Sequence, residues 1–260
     1  MQPYITIFGL TLKEYSVYRL NFILWRVRRF VQLLIIFLLW YAVFDTQSSF
    51  GSYPKSEFLS YILFSNLVSN FVFGTRTYDI AGEINDGKII NILLKPISFF
   101  RYYLTRDLAD KTLNTLFAFI EVFIVIILFK IPLFTPTNIP VFLIFLLNGL
   151  FITFFTNLML SFIGFWTTET WAPQFIFFVT LSFLTGSYFP LDILPPLLYK
   201  LLLLTPFPYF FYIPTKILIG SSVSIFSFEM LISVIYVFVS FKLAMFMWKK
   251  GNMSFSFWGR

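Results

Sequence analysis

Long apolar runs, separated by short polar stretches, occupy most of the chain. A membrane-spanning helix needs about 20 mostly apolar residues. We predict six such spans, at residues 27–45, 57–75, 111–131, 139–166, 172–189 and 226–248. The pattern therefore predicts an all-α integral membrane protein in which residues 1–260 form a single transmembrane domain.

Two further apolar segments do not fit a span. In residues 1–26, Lys13, Glu14 and Arg19 interrupt the apolar and aromatic positions. This favours a helix lying in the membrane interface over a simple N-terminal extension of the first span. Residues 190–220 are apolar but rich in proline, which breaks a continuous helix. We predict a re-entrant hairpin there on the outer side, and the alternative is a seventh span.

The composition supports a membrane location and excludes several kinds of site. The chain is 58% hydrophobic and 12% charged, with a mean hydropathy of +0.83, whereas a soluble domain carries about 25% charged residues. It contains no cysteine and no histidine, which excludes disulfides, thiol nucleophiles and metal or haem sites built on these residues. We predict no metal site and no cofactor bound to this chain.

The basic residues predict the orientation of the spans. If the N-terminus is cytoplasmic, all but four of the 19 lysines and arginines lie on the cytoplasmic side, the others being Lys55, Lys130, Lys200 and Lys216. Because cytoplasmic loops retain positive charge, six spans with both termini in the cytoplasm fit best. The same rule explains the net charge of +7 without a nucleic-acid partner. We predict a multi-pass protein of the cytoplasmic membrane, embedded in the lipid bilayer.

The polar stretch between the second and third predicted spans is unusually rich in charge. Residues 83–98 read EINDGKIINILLKPIS. The charged positions are Glu83, Asp86, Lys88 and Lys95. Apolar residues recur every three to four positions, so the pattern predicts an amphipathic helix within 79–97, interrupted at Gly87 and ended by Pro96. Such a helix either lies passively on the bilayer surface or docks a cytoplasmic partner.

Part of this stretch matches a phosphate-binding motif by spacing alone. Residues 82–88, GEINDGK, satisfy most of the P-loop pattern, but Ile89 occupies the position where the motif needs Ser or Thr for Mg²⁺. An apolar span precedes the motif, whereas a P-loop follows a strand. We therefore predict that this chain does not bind ATP.

Several short motifs together resemble the membrane subunits of ABC-2 type transporters. The motifs are Tyr18-Arg19-x-Asn21-Phe22, Ile84-x-x-Gly87-x-Ile89, Leu93-Leu94-x-Pro96-Ile97-Ser98, Gly186 with Pro190-Leu191 and Pro195-Pro196, and Pro206-Phe207 with Pro214 and Gly220. They occur in order along essentially the whole chain; Lys95 stands where many members carry arginine. The resemblance implies a six-span permease that has no ATPase site of its own.

The resemblance also implies roles and partners. In that family the loop between spans two and three is a coupling helix that docks on a separate ATP-binding cassette ATPase, which holds ATP and Mg²⁺. The implied docking residues are Glu83, Asp86, Gly87, Lys88, Lys95 and Pro96. The outer hairpin would act as a lid, with Gly186, Pro190, Pro195 and Pro196. A second permease subunit, identical or different, would complete the membrane part.

Polar residues inside the predicted spans are candidates for a substrate pathway. Glu121 lies in the middle of the third span, where a carboxylate is costly and therefore a functional candidate, the alternative being a structural hydrogen bond between helices. Asn66 and Asn70 share one face of the second span, where they either pack against a helix or line a polar route. In the resembled family spans two and five flank the central cavity, which extends the predicted route to Thr180 and Phe183.

The predicted function is export of an amphipathic or hydrophobic substrate by alternating access, driven by the separate ATPase. The alternative is an ATP-independent channel or membrane scaffold, which would need no docking helix. An intramembrane enzyme would need a nucleophile with its base, or metal ligands. With Glu121 as the one deep carboxylate and neither cysteine nor histidine, the chain offers few such groups, so we predict that it is not an enzyme.

Overall fold

The computed structural model describes residues 2–74, 76–132, 138–221, 224 and 227–254 of the chain. The α-helices in these ranges are α1 (Gln2–Val17), α2 (Arg19–Thr46), α3 (Lys55–Val72), α4 (Asp79–Asn85), α5 (Ile90–Leu93), α6 (Phe99–Phe129), α7 (Ile139–Phe162), α8 (Trp171–Leu184), α9 (Pro196–Leu203), α10 (Tyr212–Leu218) and α11 (Phe228–Ser254). Strands β1 (Ser49–Phe50) and β2 (Tyr53–Pro54) pair antiparallel in a hairpin that turns at Gly51.

The long apolar helices make this an all-α membrane protein. Among the described residues, four helices are long and apolar enough to cross a membrane: α2, α6, α7 with its 3₁₀ extension Ile163–Phe165, and α11. Helix α8 is apolar but has only 14 residues. Helix α3 has 18 residues, and its serines and asparagines lower its hydropathy. Six spans, and a re-entrant position for the outer segment, stay predictions.

Two helices begin well before the predicted spans. Helix α2 starts at Arg19 rather than at residue 27, and α6 starts at Phe99 rather than at residue 111. The predictions stopped at charged residues, but these side chains find partners within the protein, so the helices continue through them. Met1 and residues 75 and 226, which are terminal residues of the predicted segments 1–26, 57–75 and 226–248, lie outside the described residues.

Helix α7 is at the centre of the packing, and two glycines permit its closest contacts. A Cβ on Gly149 would lie 2.9 Å from the carbonyl oxygen of Tyr209 in the outer segment. A Cβ on Gly164, in the 3₁₀ extension of α7, would lie 3.0 Å from the carbonyl oxygen of Ala81 in α4. Glycine therefore lets one helix contact backbone at both ends of the molecule.

The polar stretch between α3 and α6 folds onto one end of this core, which is called the inner end because it is predicted to face the cytoplasm. Residues 190–220, predicted on the opposite side, are called the outer segment. Its buried isoleucines, Ile80, Ile84, Ile89 and Ile92, pack against aromatic residues of α6 and α7. Gly87 adopts a left-handed conformation (φ +71°) between α4 and α5, and α5 ends at Leu93, ahead of Pro96. The predicted helix at 79–97 is thus two short helices, anchored by one apolar face.

The outer segment after α8 contains short helices joined by proline-rich turns. Residues Leu191–Ile193 and Phe207–Tyr209 form 3₁₀ turns on either side of α9. Helix α10 is largely buried, whereas no residue of α9 is. This segment contacts the β-hairpin through Tyr53, whose hydroxyl lies 2.6 Å from Asp192 Oδ2. The outer segment is therefore fixed to the α2–α3 connection.

Candidate functional site

A cavity of about 830 Å³ opens beside the inner half of α2. Residues of α1, α2, α6 and α8, together with the segment that follows α3, form its walls. The wall of α8 is mostly aromatic, with Trp171, Phe175 and Phe178, whereas α2 contributes Arg28 and Arg29. The acidic residues of the lining, Glu14, Asp79 and Asp110, lie on other elements. The α2 wall therefore offers positive charge, and the α8 wall an apolar surface, to the same occupant.

A smaller cavity of about 70 Å³ continues from the first toward the outer segment. Its polar wall comes from α3, through Ser65, Asn66 and Ser69. Four residues line both cavities: Arg29, Gln32, Phe73 and Phe178. The two spaces therefore follow one direction between α2, α3 and α8, and Arg29 lies at their junction.

A buried ion pair joins α2 to α6 next to this junction. Arg26 Nη2 lies 2.5 Å from Glu121 Oε1, and Arg26 Nε donates to the same oxygen at 3.0 Å. Arg26 Nη1 donates to Asn70 of α3 at 3.1 Å and to Asn114 of α6 at 3.3 Å. A buried guanidinium needs such partners because its desolvation is costly. Glu121 therefore stabilises the packing of three helices.

A second network joins α1, α4 and α6 at the inner end. Glu14 of α1 accepts from Arg106 of α6 at 3.1 Å and forms an ion pair with Arg76 at 3.1 Å. Arg106 Nη1 also lies 3.9 Å from Glu83 Oε1 of α4, and Tyr103 donates to Glu83. Since these contacts share residues, a displacement of α4 would reach α6 and α1.

A third charged contact lies within α6, at the point where the chain that follows α3 approaches this helix. Asp107 and Lys111 are both buried and form an ion pair of 2.6 Å within α6. A Cβ on Gly74 would lie 1.7 Å from Asp107 Oδ1. Only glycine therefore permits this approach of the chain to the buried carboxylate.

Burial shifts the pKa of two groups that line the large cavity outside the spans. Burial raises the pKa of the Asp79 carboxyl, with Arg76 and Arg106 opposing the shift. Burial, together with a hydrogen bond to Asp110, raises the pKa of the Tyr15 hydroxyl. Tyr15 therefore stays protonated and donates a hydrogen bond to Asp110, which also accepts one from the Asn114 amide at 2.9 Å.

The structure divides the predicted docking residues into two groups. Asp86, Lys88, Lys95 and Pro96 are exposed, with Lys88 Nζ 2.5 Å from Asp86 Oδ2. Gly87 is the turn between the two short helices. Glu83 faces inward, to Tyr103 and Arg106. The sequence pattern assigned Glu83 the same predicted role as the other charged residues, because the contacts with Tyr103 and Arg106 of α6 cannot be predicted from the local pattern.

The predicted pathway residues lie in different surroundings, although Asn70 Nδ2 donates to Asn66 Oδ1 at 3.2 Å. Asn66 lines the small cavity, whereas Asn70 and Glu121 belong to the Arg26 cluster. Thr180 and Phe183 are exposed on the face of α8 opposite the residues that line the cavities. The cavity face of α8 instead presents, at helical spacing, Trp171, Gln174, Phe175, Phe178, Leu181 and Ser182.

The predicted lid residues form a turn with both buried and exposed parts. Gly186 has φ +76° and is buried, and its carbonyl accepts from the Tyr61 hydroxyl at 2.7 Å. A Cβ there would lie 2.6 Å from that hydroxyl. Pro190 is buried, whereas Pro195 and Pro196 are exposed at the start of α9. Gly186 therefore fixes the entry to the outer segment.

Sequence reasoning missed the cations of the site. The sequence pattern indicated only that Arg26 and Arg29 lie on the cytoplasmic side, although each lies beside the cavity or its polar cluster. The available signal was Glu121, because a buried carboxylate implies a cation on a neighbouring helix. In the described ranges there is no group of three or more acidic side chains that could hold a metal ion.

The comparison with protein families gives a clear assignment. Residues 30–259 match the family model described as ABC-2 family transporter protein. The match extends from α2 to beyond α11 and covers the α4–α5 segment, the outer segment and the walls that α8 and α6 give to the large cavity, whereas the lining residues of α1 and of α2 up to Arg29 precede it. A search of curated proteins gives no match. Because the family model covers most of the chain, the protein belongs to the ABC-2 transporter family and is an ABC permease of the membrane.

Proposed function

We propose that this permease exports an amphipathic or hydrophobic substrate across the cytoplasmic membrane, with ATP hydrolysed by a separate cassette ATPase. The observation that carries the proposal is the α4–α5 segment. It combines an anchored apolar face with an exposed charged face, at the inner end of helices that line a cavity. A passive channel or scaffold would not need such a segment.

The exposed face of this segment has the properties of a docking surface. Leu94 is 79% exposed and Leu93 is 40% exposed, and Lys88 and Lys95 flank them. The opposite face is held by buried isoleucines such as Ile84 and so moves with the core. An ATPase bound to this surface would therefore displace the inner ends of α6 and α7 rather than a loose loop.

The contacts of α4 give the route for this displacement. Glu83 contacts Tyr103 and Arg106 of α6, and Arg106 bonds Glu14 of α1. The 3₁₀ extension of α7 lies against α4 at Gly164. We propose that ATP binding moves these elements together, so that the cavity closes toward the cytoplasm and opens outward, as alternating access requires.

A second permease subunit, identical or different, would complete the pathway. The face of α8 that carries Thr180 and Phe183 is exposed, and Phe183 is 54% exposed. In the proposed assembly this face meets the second subunit, and six spans place both termini in the cytoplasm. The outer segment, with Gly186, Pro190, Pro195 and Pro196, would close the outer end as a lid and lie re-entrant in the outer leaflet.

Affinity capture in mild detergent tests the docking surface. The wild-type permease should co-purify with a cassette ATPase identified by mass spectrometry, and Lys88→Glu combined with Lys95→Glu should release it, because both lysines are exposed and the substitutions reverse the charge of the surface. Lys13→Glu, on the exposed side of α1, is the matched control and should retain the ATPase.

Two outcomes would contradict the proposal. One is the absence of any cassette ATPase under gentle extraction, and the other is retention of the ATPase by the double variant. Glu83 is unsuitable for this experiment because its replacement would disturb Tyr103 and Arg106 inside the permease. Leu94→Asp provides a second test that leaves the lysines in place and should also release the ATPase.

A further inference from the structure

Arg29 differs from the other cations that line the large cavity because it is partly buried and makes no hydrogen bond or ion pair with the described residues, whereas Arg28 is exposed and Arg76 pairs with Glu14. Its Nε atom is buried, and no side-chain or backbone acceptor among the described residues bonds it. Arg29 instead approaches the Trp25 ring at 5.7 Å. A guanidinium has five N–H donors, and burying them unpaired costs stability. An unpaired guanidinium nitrogen in this buried position therefore indicates a ligand that supplies the missing acceptor.

Three of the acidic groups nearby already bind other donors, and a fourth, Asp79, lies in the field of Arg76 and Arg106. Glu121 binds Arg26, and Glu14 binds both Arg76 and Arg106. Asp110 accepts from Tyr15 and from the Asn114 amide. These carboxylates satisfy other donors. Arg28 and Arg29 therefore face the cavity without a hydrogen bond from the described residues, and Arg29 is the more buried of the two.

The position of Arg29 suits the headgroup of an elongated ligand. It lines both cavities and is adjacent to Gln32, which also lines both. Arg28, which stacks on Trp25 at 4.0 Å, adds a second positive charge to the same wall. The planar fork of arginine matches carboxylate, sulfate and phosphate groups in two-point hydrogen bonds.

The rest of the large cavity suits an apolar tail. Trp171 and Phe175 stack with ring centroids 5.1 Å apart and are mostly exposed. Phe178 continues this aromatic wall to the junction with the small cavity. A volume of about 830 Å³ far exceeds that of an inorganic anion and falls in the range of sites for drug-sized ligands.

We propose that the large cavity binds an amphipathic anion, whose acidic headgroup pairs with Arg29 while its apolar part packs on the aromatic wall of α8. This inference rests on the proposed function and makes its substrate class more specific. The same chemistry is found in a transported amphiphile and in the headgroup of an anionic phospholipid, and the experiment below separates these two sources.

The test measures charge preference in nanodiscs of zwitterionic lipid. The probes are a dansyl-labelled long-chain carboxylate and its uncharged methyl ester, detected by energy transfer from tryptophan. Because the two share a tail, their affinity ratio isolates the headgroup. The wild-type ratio should favour the carboxylate by about tenfold, the effect of one charge-assisted hydrogen-bonded contact, and Arg29→Gln should bring it close to one.

Controls separate a site effect from a folding effect. Arg19→Gln removes an exposed arginine of the same helix and should keep the wild-type ratio. Arg29→Gln should not lower the thermal unfolding midpoint, since Arg29 donates no hydrogen bond to the described residues. If it fails to fold, Arg29→Lys carries the test, because it keeps the charge without the fork and should reduce the ratio partially.

The source of the anion follows from a second set of nanodiscs that contain an anionic phospholipid. A loss of carboxylate binding in the wild type but not in Arg29→Gln would identify lipid as the competing occupant of the site. An equal loss in both would reflect repulsion by the bilayer and leave the free amphiphile as the ligand. Both outcomes keep Arg29 as the anion-binding residue.

The inference is overturned if Arg29→Gln folds and retains the wild-type charge preference. That failure is distinct from failure of the proposed function, because ATPase capture is measured separately. An ATPase that co-purifies with a permease indifferent to Arg29 leaves the proposed function intact. A charge preference that depends on Arg29 in a chain that captures no ATPase leaves the anion site intact.

Discussion

The polar groups of this permease form two regions with different construction. At the inner end, Arg26 contacts three side chains on two helices, and Glu14 contacts two arginines, all beside an open cavity. At the outer end, Asp192 accepts from Tyr53 and pairs with Lys216 at 3.0 Å, within a turn bounded by prolines. Charge at the inner end is shared among helices, whereas at the outer end it closes a loop.

This difference indicates which polar contacts can rearrange while helices move and which contacts keep the outer segment in place. A network with shared partners can exchange them during a shift of α4, α6 or α1 without leaving a charge unpaired. At the outer end Asp192, Tyr53 and Lys216 contact one another, so this one cluster must break for the outer segment to move away from the β-hairpin. The inner region can therefore follow a displacement of α4, whereas the outer region resists displacement until the pathway opens.

The largest expected effect comes from breaking the buried ion pair that joins α2 to α6. Glu121→Leu removes the carboxylate of a buried pair and leaves the Arg26 guanidinium with only two amide oxygens. Uncompensated burial of a charge costs about 3 kcal/mol, and we expect a loss of that size in the free energy of unfolding. Denaturant unfolding in bicelles, followed by tryptophan fluorescence, measures it.

A matched double variant tests the cause of this loss. Glu121→Leu with Arg26→Met removes both charges and should regain most of the lost free energy, because an apolar pair of similar volume can replace a buried ion pair. Asp45→Asn, which breaks the exposed contact with Lys55, should have little effect. A double variant as unstable as the single one would contradict the proposed role of Glu121.

A smaller loss is expected at the outer end. Asp192→Asn keeps an acceptor for the Tyr53 hydroxyl but removes the negative charge beside Lys216. Both side chains of this pair are partly exposed, at 24% and 18%, so solvent screens the contact and we expect a loss of about 2 kcal/mol. The same unfolding assay applies, with Lys200→Met on exposed α9 as the control.

The outer prediction also has a functional readout. If the outer segment resists opening through Asp192, then proteolysis at the outer loops should become faster in Asp192→Asn and stay unchanged in the control variant. Equal stability and equal cleavage in the two variants would show that the contact does not hold the segment. The outer region would then not differ from the inner region in its resistance to opening.

Sequence patterns predicted the local features of the fold better than its contacts. Apolar runs located the long helices, and Gly87 and Pro96 marked the interruption and the end of the α4–α5 segment, because backbone preferences act within a few residues. The partner of Glu121 lies 95 positions away in the chain. Pairing over such a distance depends on how helices pack, which the sequence of one chain does not reveal.

The face of α8 that lines the cavities was not predicted for a similar reason, and a pathway role for Thr180 and Phe183 stays a prediction. Thr180 and Phe183 share a face by spacing, but an apolar helix of 14 residues has no polar stripe that distinguishes its cavity face from its opposite one. Gln174 and Ser182 mark the face that lines the cavities. Two polar residues separated by two turns are a weak signal among aromatic neighbours, so the cavities between α8 and the helices α2 and α3 were needed to recognise it.

The smallest effect expected concerns the tyrosines that donate to carboxylates in each region, Tyr15 to Asp110 and Tyr53 to Asp192. Burial first, and then the carboxylate, raises the pKa of both hydroxyls above the usual value near 10. A raised pKa in the folded state contributes stability that is complete below pH 10. This stability is lost as the pH rises above 10, because the unfolded tyrosine then releases its proton first.

Tyr53→Phe and Tyr15→Phe therefore test whether both regions depend on such a bond. Each variant should lose less stability than the wild type between pH 9 and pH 11, with a difference of about 1 kcal/mol at the upper limit, measured from unfolding midpoints at each pH. Tyr18→Phe, at an exposed position, should follow the wild-type curve. If Tyr53→Phe flattens the curve and Tyr15→Phe does not, then the hydroxyl beside the cavity titrates as it does in the unfolded chain. The inner region would then be open to water even in this conformation, which is the property that a receiving end of the pathway requires.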